Sequence, residues 1–362
     1  MTVRQSAIQK RPARQFADLP WWAAWLWLVP LLFVVLLAAP VSQAEPLPAA
    51  AVSAKQYARL QYLGTAGTIL KVGDVAVMTD PYLTNVPISD WLLLRDLQPD
   101  VERISRIMAP DTLPDLPLVR ALLLGHGHFD HLLDVSAVVP LLPRDAKIYG
   151  STTSVNQIAS AVAAARRIDV LQRAVGLDSE GPYEWLSVGE SLRMLPLRSG
   201  HSYHVGRLAF AGGRVLEPLP ALPGDLLDWQ CGEPLSYMLE WLRPGKVVFR
   251  ALFFSSAADY PLGLPPADYL TQNSRFDLVM IPVAKFQSVS DFPDGLLKRI
   301  QARHLVLIHW EKFWQPYHPG QEQPLSAEGV QLLQEKLARL APQAQVHQPR
   351  RLDVIQLPLE ND

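Results

Sequence analysis

ALLLGHGHFDHLLDV, residues 121–135, opens with four apolar residues and then sets three histidines and an aspartate within six positions. Residues 121–124 read as a buried strand: short, continuously apolar and closed by a glycine. His126 and His128 are two apart, so an extended backbone turns both to one side. Gly125 and Gly127 carry no Cβ and let the chain approach an ion closely. Asp130 and His131 follow where the chain should turn, and they face the same cavity from another direction. Imidazole nitrogen with carboxylate oxygen is a donor set for Zn²⁺, and also for Fe or Mn. Loop histidines on a solvated surface are the plainer reading. It is the weaker one, because three unpaired imidazoles hard against a buried strand have no other evident compensation.

The run His126-Gly-His128-Phe-Asp130-His131 resembles the signature of the metallo-β-lactamase-fold hydrolases, and further marks of that family recur in order over residues 56–357. The resemblance implies an α/β fold, an αββα sandwich of two similar halves, with a one- or two-metal site at the edge between the sheets. It also implies a ligand set: His126, His128 and His201 for one ion, and Asp130, His131 and His309 for a second, with Asp259 bridging the two. His201 stands just past an apolar strand at 191–197, with Gly200 tight against the strand end; His204 is the competitor, or else a residue of the rim. His309 stands just past the strand at 304–308. His304, at the start of that strand, lies ~16 Å back along it, too far to share the site. Asp259 departs from the family pattern, which has Gly-Asp here: Ser255 and Ser256 take the positions nearest the strand end, and the alternatives are a site with no bridging carboxylate or Asp259 as a loop acid. Asp80, in the Asp-Pro pair closing the opening hairpin, takes a supporting role beside the metal loop in the family; an ordinary Asp-Pro turn is the alternative.

The rest of the chain is α/β in pattern. Strands at 60–63, 68–72 and 75–79 are joined by Gly64-Thr65-Ala66-Gly67 and by a Gly73-Asp74 hairpin turn. Residues 91–117 form a Pro-punctuated insertion. Residues 132–139 read as a helix, 146–149 as a strand and 154–167 as an Ala-rich helix. A hairpin at 235–242 and 246–254 turns on Arg243-Pro244-Gly245, and a further buried strand spans 276–283. An amphipathic helix at 326–340 and an edge strand at 354–357 close the chain. Tyr260, Lys285, Trp310, Lys312 and Trp314 are candidates for the pocket fringe, with packing the plainer role for Trp310, Phe313 and Trp314. His318 and His347 read as surface residues.

The composition narrows the class. The 362 residues are 49% hydrophobic, enough for one large domain or two medium ones. A formal charge of −2 with no basic run in the body makes nucleic acid an unexpected substrate. The single cysteine, Cys231, excludes an intramolecular disulfide and reads as a small core or loop residue. Before the domain, Arg4, Lys10, Arg11 and Arg14 precede an apolar run at 19–39 with four tryptophans at its start. Val41-Ser42-Gln43-Ala44 offers small residues for cleavage before Glu45. The segment 1–44 therefore reads either as a signal peptide or as a membrane anchor. In both cases the positive flank puts the body outside the cytoplasm, in the periplasm or held at the membrane. Residues 45–55 are a Pro/Ala-rich linker, and 56–362 is the domain.

Three histidines on one ion leave a position open, which is the catalytic rather than the structural pattern. The implied activity is a metal-dependent hydrolase in which one or two ions, Zn²⁺ or else Mn²⁺ or Fe, supply hydroxide to an ester, lactone or phosphodiester bond. Asp130 holds the nucleophile's proton and passes it to the leaving group. A small-molecule or lipid-like substrate suits an exported body. A β-lactamase-type amide hydrolase and a non-catalytic metal-binding protein of the same fold are the alternatives. No Ser-centred nucleophile motif stands in the sequence.

Overall fold

Apolar runs separated by glycine, proline and acidic turns become fourteen strands in the computed structural model, which describes residues 57–244 and 246–359. The first half begins with antiparallel β1 (Tyr57–Gly64), β2 (Gly67–Val72) and β3 (Val75–Thr79), then adds β4 (Val119–Leu123), β5 (Lys147–Gly150) and β6 (Arg167–Asp169) in parallel. The second half repeats the scheme. β7 (Leu186–Val188), β8 (Leu192–Arg198), β9 (Leu235–Arg243) and β10 (Lys246–Phe254) are antiparallel, and β11 (Arg275–Pro282), β12 (Gln301–Ile308) and β13 (Gln345–His347) follow in parallel. β14 (Val354–Pro358) returns to pair with β1. The two seven-stranded sheets run β14-β1-β2-β3-β4-β5-β6 and β13-β12-β11-β10-β9-β8-β7. This is the αββα sandwich of the metallo-β-lactamase type.

Strand alternation builds the layers. Leu60, Tyr62, Val77, Ala121 and Leu123 face the second sheet and pack with Met194, Tyr237, Phe253, Met280 and Val306. Leu63, Met78, Leu122 and Ile148 face the other way, against the helices of the first half. Both faces of each central strand are covered, which is why these strands read as unbroken apolar runs. The helices are short: α1 (Ile88–Leu92), α2 (Val101–Ile107), α3 (Phe129–Leu132), α4 (Val135–Val138), α5 (Thr152–Gln157), α6 (Ala267–Gln272), α7 (Asp294–Leu297) and α8 (Ala327–Leu340). α8 is the amphipathic helix expected; it buries Val330, Leu333 and Leu337, and its N-cap Ser326 accepts from Gly329 N. Among the described residues no helix is long and apolar enough to cross a membrane. The segment 1–44 and the linker lie outside the described residues.

Two helices differ from expectation. The one expected at 132–139 breaks at Asp134. That buried carboxylate accepts from Leu83 N at 2.5 Å, Thr84 N at 2.8 Å and the Thr84 hydroxyl, and burial pushes it up to about 6. Tying the β3–α1 loop outweighs continuing one helix. The helix expected at 154–167 stops at Gln157, because Arg167–Asp169 is needed as the edge strand beside β5. The Gln157 amide also donates to Gly127 O at 2.9 Å and Gln230 O at 3.0 Å, spending helix length to hold the histidine loop.

Past β12, Glu311 joins the halves. It is fully buried, and its oxygens accept from Thr65 N at 2.7 Å and the Tyr62 hydroxyl at 2.6 Å, with Arg351 Nε 3.4 Å away. It thereby fixes both the β1–β2 turn and the backbone that carries His309. Glu311→Ala should cost about 3–5 kcal/mol, the scale for stripping one partner from a buried ion pair. Equilibrium urea unfolding measures it; a loss under ~1 kcal/mol would show that the turn is held by something else.

Candidate metal centre

Six side chains from both halves converge at one end of the sandwich. His126 and His128 leave the end of β4, Asp130 and His131 lie on α3, His201 follows β8, and His309 follows β12. They form two groups, His126 with His128 and His201, and Asp130 with His131 and His309; within each, one donor atom per residue lies within 4.8 Å of the others. The groups adjoin, with the His126 and His131 rings 3.9 Å apart. The glycines of the motif serve packing as well as approach. A Cβ on Gly125 would fall 1.9 Å from Ser255 Cβ, and one on Gly127 would fall 2.0 Å from Gln230 O.

The partners of each ring fix which nitrogen carries the proton. Asp80 is buried at the end of β3 and accepts from Gly125 N at 2.7 Å, Ser255 Oγ at 2.5 Å and His131 Nδ1 at 2.8 Å. The His131 proton is thus on Nδ1, and Nε2 turns to Asp130, 3.6 Å away. Ser255 spends its one proton on Asp80, so at 3.0 Å it accepts from His126 Nδ1. His126 Nε2 then bears a lone pair, and it is buried with no hydrogen-bond partner. His128 Nε2 donates to Phe210 O at 3.0 Å and His201 Nδ1 to Ser202 O at 2.6 Å, which frees His128 Nδ1 and His201 Nε2. His309 Nε2 lies 3.2 Å from Asp130 Oδ2, and its Nδ1 is a second buried atom without a partner.

The charge state suits a cation. Burial, then the neighbouring imidazoles, holds His126 and His201 well below the ordinary histidine value, and burial brings His128 down to about 4. These rings are neutral and keep their lone pairs. Burial alone would raise the Asp130 carboxyl, but His131, His309 and His128 outweigh it and keep it ionised. Burial would lower His131, and Asp130 and Asp80 raise it instead. An orphaned imidazole nitrogen, neutral rings and a convergent carboxylate together fit a divalent metal. Both groups open into a cavity of about 630 Å³.

Asp259 is not brought to this cluster. Its Oδ1 accepts from Ser290 N at 2.7 Å and Ser290 Oγ at 2.8 Å, and its Oδ2 accepts from the Tyr203 hydroxyl at 2.6 Å with Arg207 at 3.5 Å. The reason is position: β10 ends at Phe254, and the two residues at its end are Ser255, against His126, and Ser256, on the cavity wall. Asp259 lies farther along and ties the His201 loop to its neighbour. Ser255 was missed, although the signal that marks His201 and His309, a polar residue just past an apolar strand, marks it too. His204 lines the cavity and stacks on His201 at 5.1 Å, outside both groups. Lys285, Phe313 and Trp314 line the cavity, whereas Trp310 is core and donates from Nε1 to Pro349 O. Cys231 is buried, its thiol pushed up to about 12 by burial, and stands in neither group. His304 and His347 pair with each other at 3.1 Å on the second sheet.

No family model matches the sequence, and no curated protein matches it. Solved structures do resemble the fold. A metallo hydrolase of the archaeon Ignicoccus hospitalis is 14% identical, over 84% of this chain and 100% of that one, at a TM-score of 0.45. An isothiocyanate hydrolase from Delia radicum gut bacteria is 14% identical, over 82% and 98%, at 0.46. The metallo-β-lactamase-fold protein YhfI of Bacillus subtilis is 12% identical, over 82% and 99%, at 0.44. At such distances the fold is read from this chain's own strand order.

Ser255→Ala should leave the protein folded and weaken metal binding at the three-histidine group by about 10–100-fold, because His126 loses the acceptor that sets its tautomer. Competitive metal titration against a chromogenic chelator reads this; an unchanged affinity would mean the His126 ring is oriented by packing alone.

Proposed function

We propose that this protein is a metal-dependent hydrolase acting on an ester, lactone or phosphodiester bond of a small or lipid-like molecule. The observation that carries the reading is the pair of ligand groups on the wall of one open cavity, with His126 Nε2 turned in and unpartnered. His126, His128 and His201 would hold one ion and Asp130, His131 and His309 another, with Zn²⁺ preferred for a nitrogen-rich set. A bound metal supplies Lewis acidity and lowers the pKa of a water it holds.

The chain's own residues do the rest. Asp130, kept ionised by its histidines, accepts a proton from the attacking water and delivers it to the departing oxygen. Asp80 and Ser255 hold the rings in register. Phe313 and Trp314 on the cavity lining lower the polarity around the reacting bond. Among the described residues no carboxylate besides Asp130 joins the two groups, so they are expected to bind unequally, and the three-histidine group more tightly. We also place the body outside the cytoplasm, on the basic residues ahead of the apolar run at 19–39.

Inductively coupled plasma mass spectrometry of the purified protein should find between one and two ions per chain. His128→Ala should lose about one ion per chain and His309→Ala the fraction held by the second group, both while staying folded; wild-type occupancy in both would sink the ligand assignment. Chelation should abolish, and Zn²⁺ or Mn²⁺ restore, turnover on a panel of aryl esters, lactones and bis-aryl phosphodiesters. Bound metal without turnover on any of them would turn the reading toward a non-catalytic metal protein.

A further inference from the structure

The cavity is polarised. On the side of His309, Trp91, Phe313 and Trp314 form one wall: the Trp91 ring is 5.3 Å from Phe313 and 5.4 Å from Trp314, and Phe313 is 5.0 Å from His309. Phe129, between two ligands in sequence, stands 5.2 Å from Trp91 and extends this wall into the metal loop. A bulky apolar group fits there without needing a polar partner.

The three-histidine side carries a donor, and the lining carries a positive charge. Outside the two ligand groups, Lys285 is the one charged side chain lining the cavity, and no described residue forms an ion pair with it. Its backbone is held at φ 52°, and its carbonyl accepts from Ser288 Oγ at 2.8 Å. Ser288 Oγ in turn accepts from Tyr203 N at 2.9 Å, which ties the Lys285 loop to the His201–His204 loop. His204 Nδ1 accepts from Phe210 N at 3.0 Å, so a neutral His204 carries its proton on Nε2, and no described residue accepts from that atom. His204 stacks on His201 and lies 5.8 Å from His128, placing this donor beside the three-histidine group.

The geometry points to an amphiphilic anion as the substrate class, its apolar part against Trp91, Phe313 and Trp314 beside His309 and its charged group toward Lys285 and His204. This rests on the hydrolase reading above and adds an orientation: the scissile bond lies between the two, over the metal groups. A neutral substrate would make no use of the exposed Lys285 charge at the cavity, and a small polar one would leave the aromatic wall uncovered.

Isothermal titration calorimetry of the metal-loaded full chain with octanoate and with 1-octanol tests this without reading turnover. Octanoate should bind about tenfold more tightly than octanol in the wild type. Lys285→Gln should remove most of that difference and leave octanol unchanged. Trp314→Leu should weaken both by about tenfold. Metal content equal to wild type in each variant shows that the site is intact. Octanoate binding untouched by Lys285→Gln would assign its carboxylate to the metals alone and overturn the anion side. Octanol binding untouched by Trp314→Leu would overturn the apolar side. A protein that binds as expected yet hydrolyses nothing would sink the hydrolase reading and leave the ligand class standing.

Discussion

One buried carboxylate holds this site together. Asp80 ends β3, is wholly shielded from solvent, and accepts from the backbone of the β4 loop, the serine past β10 and the imidazole of α3. Those three donors belong to three chain segments and to both sheets. A carboxylate in such a place is tolerable only with its oxygens satisfied, and charge-assisted bonds are the strong kind. The same bonds decide on which nitrogen His131 and, through Ser255, His126 carry their protons. Sheet packing and ligand readiness are therefore consequences of one set of contacts.

The backbone is strained both at the cavity lining and in the layer behind it. Thr65, Asp80, Lys285 and His309 all have positive φ, at 54°, 24°, 52° and 51°. Each such residue costs of order 1–3 kcal/mol and persists only where its surroundings over-determine it. They do so here: His309 N donates to Thr65 O at 2.5 Å, Thr65 N donates to Glu311, and Glu311 is closed in by Tyr62 and Arg351. The strain at Lys285 and His309 on the cavity lining, and at Thr65 and Asp80 behind it, is offset by this buried polar network.

Much of this was legible in the sequence, for a physical reason. A histidine or aspartate directly after an apolar strand is held at a sheet end, and the spacing in residues 126–131 and the isolated His201 and His309 all carry that mark. Strands buried on both faces announce themselves as apolar runs, so both sheets could be read. What escaped depends on contacts distant in sequence. Asp259 looked like a bridging ligand by type, but serines had taken the strand end. The helix expected at 154–167 has good local propensity and yields to an edge strand and to Gln157, whose amide is needed elsewhere. Gly125 and Gly127 suggested room for an ion; they also make room for Ser255 and Gln230. Glu311 gave no signal, since a lone glutamate after a tryptophan resembles any loop acid.

The antiparallel pairing of β14 with β1 sets Tyr57 opposite Pro358, while the other end of β1 reaches Thr65 and the His309 backbone. Seven residues of extended strand separate Tyr57 from Gly64, roughly 23 Å. The described chain thus enters and leaves its fold at neighbouring points, at the pole of the first sheet away from the cavity. In topological terms the domain is nearly a closed ring whose seam lies far from its chemistry. A surface, tag or partner joined at that seam would sit about a strand's length from the ligand groups.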